Sequence, residues 1–224
     1  MSTGAAPAAS SQRMSPPPGD AAAPCRHNTN WRQAERDAVR ARPTAKRWDD
    51  AAVEAAVDEA EAMAHACLAD LLRRHGERRP EDYLGDLGLK VQAVGFSDQW
   101  ARPYFSLYDQ ASGTIEVNIR LIRDLDRHLK ATGRDDWTTD ERLRQVSIAH
   151  ELLHHIVPRP PVPSLRQRWQ QRDQSARADI VEEIAAVRFS QLLLGLDYSP
   201  LDYTEAAREL ATTSTNEGSH GKDH

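Results

Sequence analysis

Apolar residues recur at helical spacing from Asp49 to Arg74. Val53, Val57, Ala60, Met63 or Ala64, Cys67, Leu68 and Leu71 fall on one face, with Asp50, Glu54, Asp58 and Glu61 opposite. His75-Gly76 supplies a stop signal, because glycine ends a helix at low steric cost. A short turn holding Pro80 and Gly85 leads into Leu89 to Val94, which alternates as a strand. Tyr104 to Tyr108 and Thr114 to Val117 are two more strands, joined by a hairpin-length loop, Asp109 to Gly113. Ile119 to Ala131 is again helical and stops near Gly133. Thr138-Thr139-Asp140-Glu141 has the form of a capping box and opens the next helix, which Pro158 ends. A further helix spans Asp179 to Leu194 and closes at Gly195, and Leu201 to Leu210 forms a last one. The expected class is α+β, with a small mixed or antiparallel sheet of about three strands packed on helices.

The two ends lack this patterning. Met1 to Pro24 is almost entirely Ala, Pro, Ser and Gly, and too little apolar surface is present to offset the entropy of ordering it. Residues 25–46 carry Arg26, Arg32, Arg36, Arg40 and Arg42 around Trp31; a frayed helix or a basic arm fits them, and a solvated linker is the favoured reading. The expected organisation is a disordered or linker segment at 1–46, one folded domain at 47–211, and a disordered polar tail at 212–224, where His220 and His224 lie. After the helix that Pro158 ends, residues 158–170 form a stiff, proline-rich loop with a basic cluster, which reads equally as the border of a cleft or as surface punctuation.

Composition narrows the classes. The chain has 224 residues, enough for one domain with tails, and a net charge of −5, so it carries no global basic field for nucleic acid. A DNA-binding role rests only on the Arg-rich segment 26–47, and no second three-helix unit suggests a dedicated nucleic-acid-binding domain. Cys25 and Cys67 are too few and too differently placed for a disulfide framework. No apolar run is long enough to span a bilayer, and no signal peptide is evident, so a cytoplasmic protein is expected.

The chemistry is concentrated in His150-Glu151-Leu152-Leu153-His154. In a helix the two imidazoles stack on one face, and both can reach a single metal ion. Glu151 lies beside them, where it can take a proton from an activated water. A chain with 9 His and 34 acidic residues can meet this pattern by chance. Here, however, Ile148, Ala149, Leu152, Leu153, Ile156 and Val157 make the helix apolar on most sides, and buried His and Glu need partners. A third ligand is expected near the start of the following helix. Glu182 and Glu183 point about 100° apart there, so at most one faces the metal. Periodicity alone does not choose between them. The small residues on the Glu183 face favour Glu183 as ligand, with Glu182 as a solvated first-turn acid. His155, Asp179, Tyr108 and Tyr198 are candidates for orienting a ligand or donating to a transition state, with an N-cap or surface role the blander reading of Asp179.

These residues resemble the ImmA/IrrE family of gluzincin-type metallopeptidases. Ser106 to Asp109 and Gly113 to Asn118 match its hairpin, and His150 to His154 its metal helix. Glu183-Ile184-Ala185-Ala186-Val187-Arg188-Phe189 matches its third-ligand helix, with Phe189 setting the register. The resemblance covers roughly residues 48–200, and the interval from His154 to Glu183 (183 − 154 = 29) is similar to the family's. Leu153 stands where the family usually has Gly, Val187 where it has Asn, and Leu194-Gly195 where it has Met-Pro; none of these removes a ligand. The resemblance implies a zincin-like fold and Zn2+ held by His150, His154 and Glu183, with Mn2+ or Fe2+ as alternative occupants of such a site. It also implies Glu151 as general base and cleavage of a protein or peptide substrate, often a DNA-binding repressor. Two other readings stay open: a catalytically silent metal-binding interaction module, and a peptide-maturing protease of a biosynthetic or toxin–antitoxin system.

Overall fold

The structure, a computed structural model, describes residues 30–95, 104–134, 139–157 and 172–217. The tail at 1–29, the proline-rich loop and the last seven residues, 218–224, with Cys25, His220 and His224, lie outside the described residues.

The longest helix, α2, spans Asp50–His75. Asp49 caps it by accepting from the Ala52 N–H at 2.8 Å, and Gly76 ends it with φ of 74°. Its buried stripe is Val53, Ala56, Val57, Ala60, Ala64 and Leu71, while Met63, Cys67 and Leu68 are only partly covered. A four-residue helix, α3 (Pro80–Tyr83), replaces the expected turn, and Tyr83 is fully buried, its hydroxyl donating to the Gly76 carbonyl. Three strands follow: β1 (Lys90–Val94), β2 (Ser106–Asp109) and β3 (Thr114–Asn118). The sheet order is β1-β3-β2. The β1–β3 pairing is parallel and the β2–β3 pairing antiparallel, with Ser106 opposite Val117 and Asp109 opposite Thr114, so the sheet is mixed.

Helix α4 (Ile119–Ala131) starts directly from β3, with the Asn118 side chain accepting from the Leu121 N–H. Helix α5 (Asp140–Ile156) carries the His-Glu motif. Its N-cap is Thr139, whose hydroxyl accepts from the Arg142 N–H, one position after the start of the expected box. Helix α6 (Arg172–Leu194) packs along both α2 and α5. Alanines line these contacts (Ala56, Ala60 and Ala64 on α2, Ala185 and Ala186 on α6), and small side chains let helix axes approach closely. Leu152, Leu153, Ile184 and Phe189 fill the seam beside them, each buried. The fold is therefore α+β, mostly helical, with one small three-stranded sheet.

Three boundaries differ from the sequence expectation, the first being that α6 begins at Arg172 rather than Asp179, so Glu182 and Glu183 sit in mid-helix and not in its first turn. Trp31–Arg40 is a helix, α1, followed by a 3-10 turn at Pro43–Arg47, so the folded part begins well before residue 47. Val39 and Ala45 reach the core at 0% and 2% exposure. The arginines that suggest a solvated linker instead meet acids on α2. Arg32 pairs with Glu54, Asp58 and Glu61, Arg36 with Glu54, and Arg40 with Asp50. Trp31 lies under the Arg188 guanidinium at 3.7 Å from its ring centroid, which shields apolar area that a linker would leave in water. At the other end, the last helix, α7, spans Leu201–Glu217 and so runs past the expected limit at 211. The polar run there holds no breaker before Gly218. Among the described residues no helix is long and apolar enough to cross a membrane.

Candidate metal centre

His150 and His154 lie one turn apart on α5, with their side chains turned towards the middle of α6. Their Nε2 atoms are 3.2 Å apart. Glu183 reaches in from α6, with Oε1 3.5 Å from Nε2 of His154 and Oε2 3.9 Å from Nε2 of His150. These three side chains form a group able to hold a metal ion. Donor atoms placed tetrahedrally at about 2.0–2.1 Å from an ion lie about 3.3–3.4 Å from one another. The observed separations are close to that arrangement, and two imidazole nitrogens with one carboxylate leave one position open.

Glu182 has a different role from the solvated acid expected of it. Its Oε1 is 2.6 Å from Nδ1 of His154, on the ring edge opposite the triad. An Nδ1–H donated to this carboxylate fixes the tautomer, so the lone pair on Nε2 points into the triad. The adjacent acids thus divide the work across their 100° offset: Glu183 faces the imidazole nitrogens and Glu182 holds one ring from behind. The sequence signal was the acid pair itself, opposite a motif with two imidazoles.

Electrostatics suit the same task. Burial pulls the His150 imidazole below its ordinary range, against the carboxylates of Glu151 and Glu183. His154 is also desolvated, but its bond to Glu182 and the charges of Glu151 and Glu183 outweigh that and raise it. A neutral imidazole is the ligating form, so His150 is held ready, whereas protons compete at His154 as the solution becomes acid.

Glu151 is buried, and the Ser106 hydroxyl of β2 donates to its Oε1 at 2.8 Å. Ser106 also approaches the Ser147 carbonyl at 3.3 Å, which ties β2 to α5. Two residues on, the Tyr108 hydroxyl is 2.8 Å from Nδ1 of His155. The alternation of β2 places Ser106 and Tyr108 on one face, while Leu107 points away and is 49% exposed. The Ser106 contact went unseen in sequence, because it depends on how β2 lies across α5. Burial lowers His155, favouring its neutral form.

The remaining candidates stand elsewhere. Tyr198 is buried and paired with the Tyr203 hydroxyl; burial raises it, and its charged neighbours are Arg142, Asp197 and Asp202 rather than the triad. Asp179 is exposed on α6, and the carboxylate bound to a triad histidine is that of Glu182. A hollow of about 490 Å³ lined by Gly95, Ile119, Arg120, Arg123, Asp124 and Arg127 holds none of these residues.

Compared with known proteins, the chain matches no family model, and no curated protein and no solved structure matches it.

Proposed function

We propose that this chain is a zinc-dependent metallo-endopeptidase of zincin-like design, akin to the ImmA/IrrE family, that cuts a protein regulator such as a DNA-binding repressor in the cytoplasm. The observation that carries the reading is the convergence of His150 Nε2, His154 Nε2 and the Glu183 carboxylate beside a buried Glu151. Three protein donors with an open position are the form of a catalytic rather than a structural zinc site. A purely structural site would also have no use for a general base next to it.

A zinc ion held there would supply Lewis-acid activation of a water and polarise the scissile carbonyl. The protein's residues carry the rest. Glu151 keeps one carboxylate oxygen on Ser106, and its other oxygen takes the water proton as oxygen attacks the carbonyl carbon. The same carboxyl then returns a proton to the departing amine. Glu182 keeps His154 in its ligating tautomer throughout. The Tyr108–His155 pair borders the Glu151 side and offers a hydrogen-bond donor to the substrate. Among the described residues β2 pairs only with β3, so its other edge has main-chain groups to offer an extended peptide.

The test begins with elemental analysis of the purified full chain. Wild type and Glu151→Gln should each carry about one zinc, while Glu183→Ala is depleted. Glu151→Gln is then used to capture substrate, and wild type should cleave what the variant retains. Absence of zinc in wild type after supply of the ion would sink the reading. Zinc bound at full occupancy, with the captured protein left uncut, would leave a silent interaction module instead.

A further inference from the structure

Arg42 stands between α1 and the 3-10 turn, in the stretch that composition marks as a linker. Its guanidinium is 3.6 Å from Oε2 of Glu183, the oxygen that also lies 3.9 Å from Nε2 of His150. The backbone beneath it is fixed. The Arg42 N–H donates to the Val39 carbonyl and the Arg42 carbonyl accepts from the Ala45 N–H, both at 3.0 Å. Val39 and Ala45 are themselves core residues. Arg42 is therefore delivered to the centre by folded structure, with 46% of its side chain still exposed at the rim.

An exposed ion pair of this kind contributes little to stability. Its placement has a chemical consequence instead. Glu183 is the acid whose charge a dication in the triad would neutralise, which would leave the guanidinium, with its five N–H donors, beside that ligand at the exposed rim. The other flank is different in kind. Ser106 and Tyr108 approach the Glu151 side, where the base works. Arg42 approaches the Glu183 side with the positive charge.

We propose that Arg42 binds the substrate's carbonyl oxygen as negative charge develops on it. The inference rests on the metallopeptidase reading above. As water oxygen bonds to the carbonyl carbon, the carbonyl π pair moves onto its oxygen, the water proton goes to Glu151, and Arg42 donates hydrogen bonds to the new oxyanion without losing a proton. The carbon–nitrogen bond then breaks, and Glu151 gives its proton to the amine.

Methylphosphonate, a tetrahedral anion, serves as the probe. Its affinity is measured by calorimetry on zinc-loaded full chain for wild type, Arg42→Gln and Arg42→Lys, and zinc affinity is measured separately by competition with a chromophoric chelator. Loss of a charge-assisted contact should weaken methylphosphonate binding by about 10- to 100-fold in Arg42→Gln, with zinc affinity changed by less than about threefold. Arg42→Lys, which keeps the charge but not the fork, should fall between. Equal phosphonate affinity in wild type and Arg42→Gln overturns the proposal, as does a wild type that binds zinc but no phosphonate. A loss of zinc affinity matching the phosphonate loss overturns it too, because Arg42 would then only position Glu183. A wild type that takes up no zinc fails the metallopeptidase reading itself and is distinguishable from all of these.

Discussion

Helix α6 buries charge against two neighbours, and the two contacts behave in opposite ways. Towards α5, acids meet imidazoles: Glu183 faces His150 and His154, and Glu182 holds His154 from behind. Towards α1, Glu35 is 1% exposed, and among the described residues neither of its carboxylate oxygens has a hydrogen-bond partner. Arg188 from α6, Glu61 from α2 and Arg32 from α1 act on it only through their charge. Burial therefore wins, and the Glu35 carboxyl is pushed up to about 8. Both places are carboxylates in a helix seam. What separates them is whether donor atoms converge on a common point, and that convergence, more than burial or a shifted proton affinity, is what marks the candidate metal centre.

The comparison can be tested from its larger side first. Glu35 titrates at about 8 when folded and near 4.5 ordinarily, so its contribution to stability is fully present below 4.5 and is lost as pH rises through about 8. Within that window the loss approaches about 1.4 kcal/mol per pH unit, and on the order of 5 kcal/mol in total. Glu35→Gln should remove this slope and be the more stable protein at alkaline pH. Urea unfolding of both proteins at several pH values measures it, and an unchanged slope in the variant would refute the buried, protonated carboxyl.

On the other side of α6 the expected effects concern the metal. Glu182→Gln leaves the triad intact but takes the charge from behind His154, and zinc affinity should drop by about 10- to 100-fold. Chelator competition reads this directly; affinity equal to wild type would mean that Glu182 is incidental to the centre. Smaller still is Ser106→Ala, which frees one oxygen of Glu151. Zinc content should stay constant, and cleavage of the captured substrate should fall by no more than about tenfold, the worth of a single hydrogen bond. Loss of zinc in that variant would show that β2 supports the ligands rather than the base.

Much of this arrangement was legible in the chain. Helix α4 has the expected limits because its signals are local: Asn118 caps one end and Gly133 lies just past the other, with φ of 70°. The two histidines and Glu151 were legible because one helix carries all three at fixed spacing. Glu182 was not, since adjacent acids on a helix differ only in which neighbour each will meet. Segment 31–47 was misread for a related reason. Its fully buried apolar side chains are two small anchors, Val39 and Ala45, and the rest of its docking depends on acids of α2 and on Arg188 and Glu183 of α6, which sequence order does not bring to mind. Ser106 and Arg42 share that character, each becoming meaningful only across a tertiary contact.

The position of α6 between α2 and α5 also sets a schedule. Its anchors are remote in the chain: Arg177 meets Glu59 across 118 residues, and Arg188 meets Glu61 across 127. Closing such long loops is slow, and both glutamates of the centre ride on the helix that closes them. During synthesis α5 leaves the ribosome with both histidines before α6 has been made. The nascent chain thus holds two of the three donors, and the third joins them only when the last third of the protein folds back onto the first.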